Sequence, residues 1–183
     1  MKRMVFIIVM ALAVVSGSAQ SKAELRKAQK EAKKEQKAKE EAAMAVLIKE
    51  SIENQQFVLE ADFLSNKYGE RIVVQPNLNF VGIDKEFSAF QFANGQDVGY
   101  NGVGGITVEG NVQSYNYKVT KKGVYILEFN LSSTAGSVFV NMTVSPNGMA
   151  DATVSSNGPN KLNYQGRCVP LSASKVYKGS RTF

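Results

Sequence analysis

From Phe57 onward the chain alternates apolar and polar residues with a period of two, and this limits the fold more than any other feature. A half-buried antiparallel strand turns successive side chains to core and solvent in that rhythm. In FVLEADF, Phe57, Leu59, Ala61 and Phe63 share one face. In VYILEFNL, Tyr125, Leu127, Phe129 and Leu131 do so, with Glu128 and Asn130 opposite. SVFVNMTV aligns Val138, Val140, Met142 and Val144, and KLNYQGRC aligns Leu162, Tyr164 and Cys168. Turn signals punctuate the strands at QPN (75–77), ANGQD (93–97), TKKG (120–123), SPNG (145–148) and SNGP (156–159). Reversals at intervals of about ten residues predict a mainly β domain over residues 55–183, an antiparallel meander forming a β-sandwich or a small barrel. Alternation is the same in both, so the choice between them stays open.

Residues 20–54 have a different character. They are rich in Ala, Lys, Glu and Gln, lack Gly and Pro, and predict one charged α-helix ahead of the β domain. Opposite charges stand at helical spacing in Glu35 with Lys39, Lys37 with Glu41 and Lys27 with Glu31. A coiled coil does not fit, because a register placing Leu25, Ala28 and Ala32 in the seam also places Glu35 and Lys39 there. Met44, Leu47, Ile48 and Ile52 form an apolar stripe expected to dock on the domain that follows. Nine basic residues against six acidic ones between Ser21 and Glu50 leave +3. That is worth only roughly 3 kcal/mol at an anionic membrane surface, so the charged stretch reads as a solvated spacer. Interleaved Glu also opposes the phosphate contacts nucleic acid would need.

Residues 1–19 read as a secretory signal peptide: a basic MKR start, the apolar run MVFIIVMALAVV, and the small residues SGSA. Cleavage is expected between Ala19 and Gln20. The apolar run from Met4 to Val15 falls well short of the roughly 20 residues that span a bilayer, so no transmembrane span is expected in the mature chain. No cysteine stands just after the run, so a lipid-modified N-terminus is not expected. The expected location is therefore the periplasm or outer envelope. An outer-membrane barrel fits poorly, since counting back by twos from Phe183 meets Arg181, Gly179 and Tyr177 rather than a lipid-facing stripe.

GYNGVGGITVEG, residues 99–110, poses the question of a phosphate cradle. A dinucleotide fingerprint begun at Gly102 and Gly104 would need a third glycine where Thr107 stands, and a P-loop would need Gly-Lys. Both need a helix N-terminus, whereas the β-branched residues after Gly105 predict a strand. The stretch is expected to be a turn feeding a strand at Ile106, with a bulge or turn at Gly110. A loop of this kind beside a rigid sheet can form a binding rim. Tyr100, Asn101, Gly102, Gly104 and Gly105 are the candidate residues, with Tyr100 as a stacking face and Asn101 as a polar hook.

The chain contains no histidine, which removes His-based triads and ordinary zinc sites; no catalytic residue, metal ligand or cofactor is assigned. Cys168, the one cysteine, sits on an apolar face and reads as a buried, inert thiol, an intermolecular disulfide being the alternative. Carboxylate pairs for glycoside hydrolysis could be sought in Glu60 with Asp62, or in Glu109 with Asp97, but no motif supports either.

FVLEAD (57–62), LNFVGID (78–84), GYNGVGGITVEG (99–110), ATVSSN (152–157) and VYKG (176–179) together resemble the domain-of-unknown-function family 4251 (DUF4251) of exported proteins from Bacteroidetes-type bacteria. The resemblance covers most of the chain from about Asn54, and implies an envelope location and a β-rich domain but no activity. Two readings follow: a non-catalytic envelope protein whose β domain binds a protein, a glycan or an apolar ligand, or a polysaccharide-directed hydrolase using an Asp/Glu pair.

Overall fold

The computed structural model describes residues 17–94, 99–159 and 161–183. The expected signal segment lies largely outside these residues, as do Gly95 to Asp97 of the ANGQD turn. Among the described residues one α-helix, α1 (Gly17–Glu53), precedes nine strands. These are β1 (Gln56–Asn66), β2 (Arg71–Val73), β3 (Phe80–Asp84), β4 (Phe87–Ala93), β5 (Gly105–Val119), β6 (Tyr125–Ser133), β7 (Gly136–Val144), β8 (Met149–Ser156) and β9 (Lys161–Pro170). A 3-10 turn at Leu171–Ala173 and an extended tail follow.

Every pairing is antiparallel. β1 pairs with β3, and each strand from β3 to β8 pairs with the next in sequence. β9 then returns to β1, from Phe57 opposite Pro170 to Asn66 opposite Leu162. Eight strands thus close into a small barrel, while β2 pairs with β1 beyond the end of β3. The choice left open by the alternation resolves as a barrel, a closure that leaves its strands no free lateral edge.

The apolar faces read from the sequence line the interior. Leu127, Phe129 and Leu131 of β6, Val138, Val140, Met142 and Val144 of β7, and Tyr164 and Cys168 of β9 are all buried in one cluster. Phe63 departs from its expected place. The β1–β9 register shifts between Ala61 and Phe63, a bulge at Asp62 that reverses the alternation. Leu64 therefore enters the core, and Phe63 is left half-buried with the Arg71 guanidinium 3.7 Å from its ring centroid. Gly166 stands opposite Ala61, and a Cβ there would lie 1.9 Å from the Glu60 carbonyl oxygen. Close approach of two backbones at the closing seam is what requires glycine. In β5 the bulge falls at Gln113, between Val112 and Ser114, rather than at Gly110, which remains within the strand.

Two compact units divide the chain, Met1–Glu41 and Ala42–Phe183. In the first, the described side chains of α1 are exposed, and Lys39–Glu35 and Lys37–Glu41 close at 2.8 and 3.7 Å. The third expected pair, Lys27 with Glu31, is not formed. In the second unit, Ile48 and Ile52 are fully buried and Met44 packs against them. Leu47 does not join them and is 46% exposed. At 100° per residue the buried face runs from Ser51 through Met44 and Ile48 to Ile52, and Leu47 falls to one side of it. Tyr115 of β5 donates its hydroxyl to the Ile52 carbonyl at 2.9 Å. The helix end therefore covers the end of the barrel where β1 begins. None of the described helices is long and apolar enough to cross a membrane.

Residues 174–183 form a strap over the outer wall of β1, β3, β4 and β5. Glu60 accepts from the Ser174 hydroxyl at 2.7 Å and from the Lys175 amide at 3.1 Å. Gly179 N–H donates to Gln91 Oε1 at 2.8 Å, and the Thr182 amide donates to the Thr107 carbonyl at 2.9 Å. Lys178 pairs with Glu109 at 2.7 Å. Beneath the strap, outward-facing Val58, Phe80, Gln91, Thr107 and Glu109 are buried.

Candidate functional site

The glycine-rich stretch behaves as a turn. Gly102 and Gly104 have φ of +79° and +81°, the left-handed region that glycine enters without a Cβ penalty, and β5 rather than a helix follows. No helix N-terminus is present to hold a phosphate. Of the candidate rim residues, Tyr100 is 87% exposed, while Asn101 is 1% exposed and committed internally. Its Oδ1 accepts from the amides of Val103 and Gly105, its Nδ2 donates to Thr107 Oγ1 at 3.1 Å, and its carbonyl accepts from the Ser180 amide. Thr107 in turn donates to Gln91 Oε1 at 2.7 Å. The loop is thus tied into the polar network that secures the C-terminal strap. Asn101 is thus turned inward and does not stand at the surface as a polar hook.

A different site lies at the barrel end opposite the helix. There, at the end of β1, across β4, β5, β7 and β8, and at the start of β9, inward side chains leave a hollow of about 460 Å³. Phe90, Ile106, Val138, Val154 and Leu162 supply its apolar wall, and Asn66, Lys67, Tyr68, Ser155, Ser156 and Lys161 its rim. None of the five glycine-stretch candidates lines it. The next inward residue on β9 below Leu162 is Tyr164, whose hydroxyl crosses to the Gln91 carbonyl of β4 at 3.2 Å. Burial pushes the Tyr164 phenol far above its ordinary value of 10.0. This neutral ring lies one inward position below Leu162 and is not among the residues that line the hollow.

Charge among the described rim residues is of one sign. Lys67 and Lys161 are exposed, Lys67 lies 5.1 Å from the Tyr68 ring centroid, and neither forms an ion pair among the described residues. Among the described residues no carboxylate lines the hollow. Glu70, in the adjacent turn, accepts from the Asn66 side-chain amide at 2.5 Å.

Alternation assigns Val138 and Leu162 to an inward face but does not show that packing stops above them. It does not single out Phe90, Ile106, Val154 or the two lysines. A second hollow of about 380 Å³ lies mostly on the outer wall, among Asn141, Asp151, Thr153 and Asn163. Its polar groups bond one another, Thr153 to Asn163 at 2.8 Å and Asn163 to Ser65 at 3.4 Å.

Glu60 and Glu109 hold the strap, and Asp97 lies outside the described residues. Cys168 is buried, and burial pushes its thiol up to about 12, as the inert-thiol reading expects. Among the described residues no group of three His, Cys, Asp or Glu is placed to hold a metal ion.

Comparison with known proteins agrees with this architecture. A family model described as a domain of unknown function, DUF4251, matches residues 34–168. The crystal structure of a DUF4251 family protein from Bacteroides eggerthii is similar, with a TM-score of 0.62 and 29% identity over 73% of this chain and 91% of that one. No curated protein matches the sequence. The family match spans well over half of the chain, and the chain belongs to the DUF4251 family.

Proposed function

We propose that this protein is an exported, non-catalytic binding protein of the cell envelope that holds an apolar ligand in the mouth of its barrel. One observation carries the binding reading: apolar side chains converge from β4, β5, β7, β8 and β9 on a hollow of about 460 Å³ that they do not fill. Small-molecule sites are concave, mostly apolar, roughly 300–1,000 Å³ in volume and often placed in barrel mouths. An apolar ligand fits this lining better than a glycan or a protein segment, both of which would need more polar partners than the wall offers.

Export is supported by the MKR start, the apolar run and the small residues before Gln20. The barrel wall suits an aqueous compartment, because Glu128, Asn141, Thr143, Asp151, Asn163, Gln165 and Arg167 alternate outward while the apolar residues face in. A lipid-embedded barrel has the reverse arrangement. Engagement of Glu60 and Glu109 by the strap favours binding over hydrolysis.

The test is titration of the chain from Gln20 with the uncharged fluorescent probe N-phenyl-1-naphthylamine. Saturable binding at one site is expected, and Ile106→Trp, which fills the mouth from a half-buried position, should weaken it at least about tenfold. Unchanged binding by a folded Ile106→Trp protein would place the ligand elsewhere and end this reading.

A further inference from the structure

We infer that the ligand of the mouth is a single-tailed amphiphile with an anionic head group. Its tail lies among Phe90, Ile106, Val138 and Val154, and its head between Lys67 and Lys161. The inference rests on the apolar-site reading above and adds the chemistry of the head.

The lining divides by depth. Below the rim it is aliphatic and aromatic; at the rim two ammonium groups stand without an ion-pair partner among the described residues. Ser155 and Ser156 add hydroxyl donors beside them. A wholly apolar ligand would leave those donors without a use. A cationic head would meet two like charges and, among the described lining residues, no carboxylate. An anionic head meets both charges while its tail leaves water. The volume, at the small end of the range for ligand sites, suits one tail rather than several. Because both lysines are exposed, each adds a modest, salt-sensitive increment, and burial of the tail supplies most of the affinity.

A chain-matched series separates head from tail. Dodecanoate, dodecanol and dodecyltrimethylammonium, each below its micelle-forming concentration, would compete with N-phenyl-1-naphthylamine. Dodecanoate is expected to displace the probe at about tenfold lower concentration than dodecanol, with the ammonium compound weakest. Raising the salt should shrink that advantage. The Lys67→Ala/Lys161→Ala double variant should bring dodecanoate level with dodecanol. Equal displacement by all three chains, or preference for the ammonium, would overturn the anionic head and leave the apolar site standing. Failure of the probe itself to bind would overturn both.

Discussion

Replacing Gly166 by alanine is expected to open the barrel at its closing seam and lower stability by about 3 kcal/mol or more. The added Cβ would lie 1.9 Å from the Glu60 carbonyl oxygen and 2.8 Å from the Ala61 Cα. Backbone, unlike a side-chain tip, cannot swing aside. Relief therefore requires β1 and β9 to separate next to the bulge that sets their register. Thermal unfolding should show a midpoint lowered by roughly 10 °C. Gly158→Ala is the matched control, since a Cβ there meets only Ser156 Oγ, at 3.8 Å, and should leave the midpoint unchanged. A Gly166→Ala midpoint equal to that of the control would show that the seam is not tightly closed.

Tyr164→Ala should be similarly costly, at about 3–5 kcal/mol, because it removes a fully buried ring from the centre of the barrel. Tyr164→Phe should cost only about 1 kcal/mol, the worth of one hydrogen bond to the Gln91 carbonyl. The phenol also makes stability depend on pH. In the unfolded chain Tyr164 ionises near its ordinary 10.0, whereas in the folded chain burial keeps it neutral well above that value. The stabilisation is whole below pH about 10 and is lost as pH rises further. Tyr115 and Cys168, raised by the same cause, act in the same direction. Urea denaturation at rising pH should therefore show a shallower loss for Tyr164→Phe than for the parent. An identical slope would mean that Tyr164 ionises in place.

Much of this fold was legible in the sequence, because burial on one face leaves a period-two record. The inward residues of β6 and β7 follow it without error. It misled at Phe63, where one bulged residue reverses every later side chain, and no residue type marks that bulge. Closure was equally hidden. It depends on β1 meeting β9, strands about a hundred residues apart, and Gly166 reveals its purpose only once Glu60 is beside it. Gln91 and Thr107 sit at solvent-facing positions by alternation, yet the strap buries them from a segment far along the chain. The same network claimed Asn101, which local reading had offered to a ligand. The mouth was half-visible. Alternation identifies inward residues, but not the level along the strands at which they cease to touch one another.

These features assign different tasks to different parts of the barrel. The helix end covers one opening, the strap stabilises the outer wall, and the remaining opening keeps unfilled apolar surface beneath two cations. The most direct measurement of this account is a crystal structure with 12-bromododecanoate, the bromine located by anomalous scattering. A bromine among Phe90, Ile106, Val138 and Val154, with the carboxylate at Lys67 and Lys161, is the predicted result. A bromine on the outer wall or under the strap, with the mouth unoccupied, would contradict it.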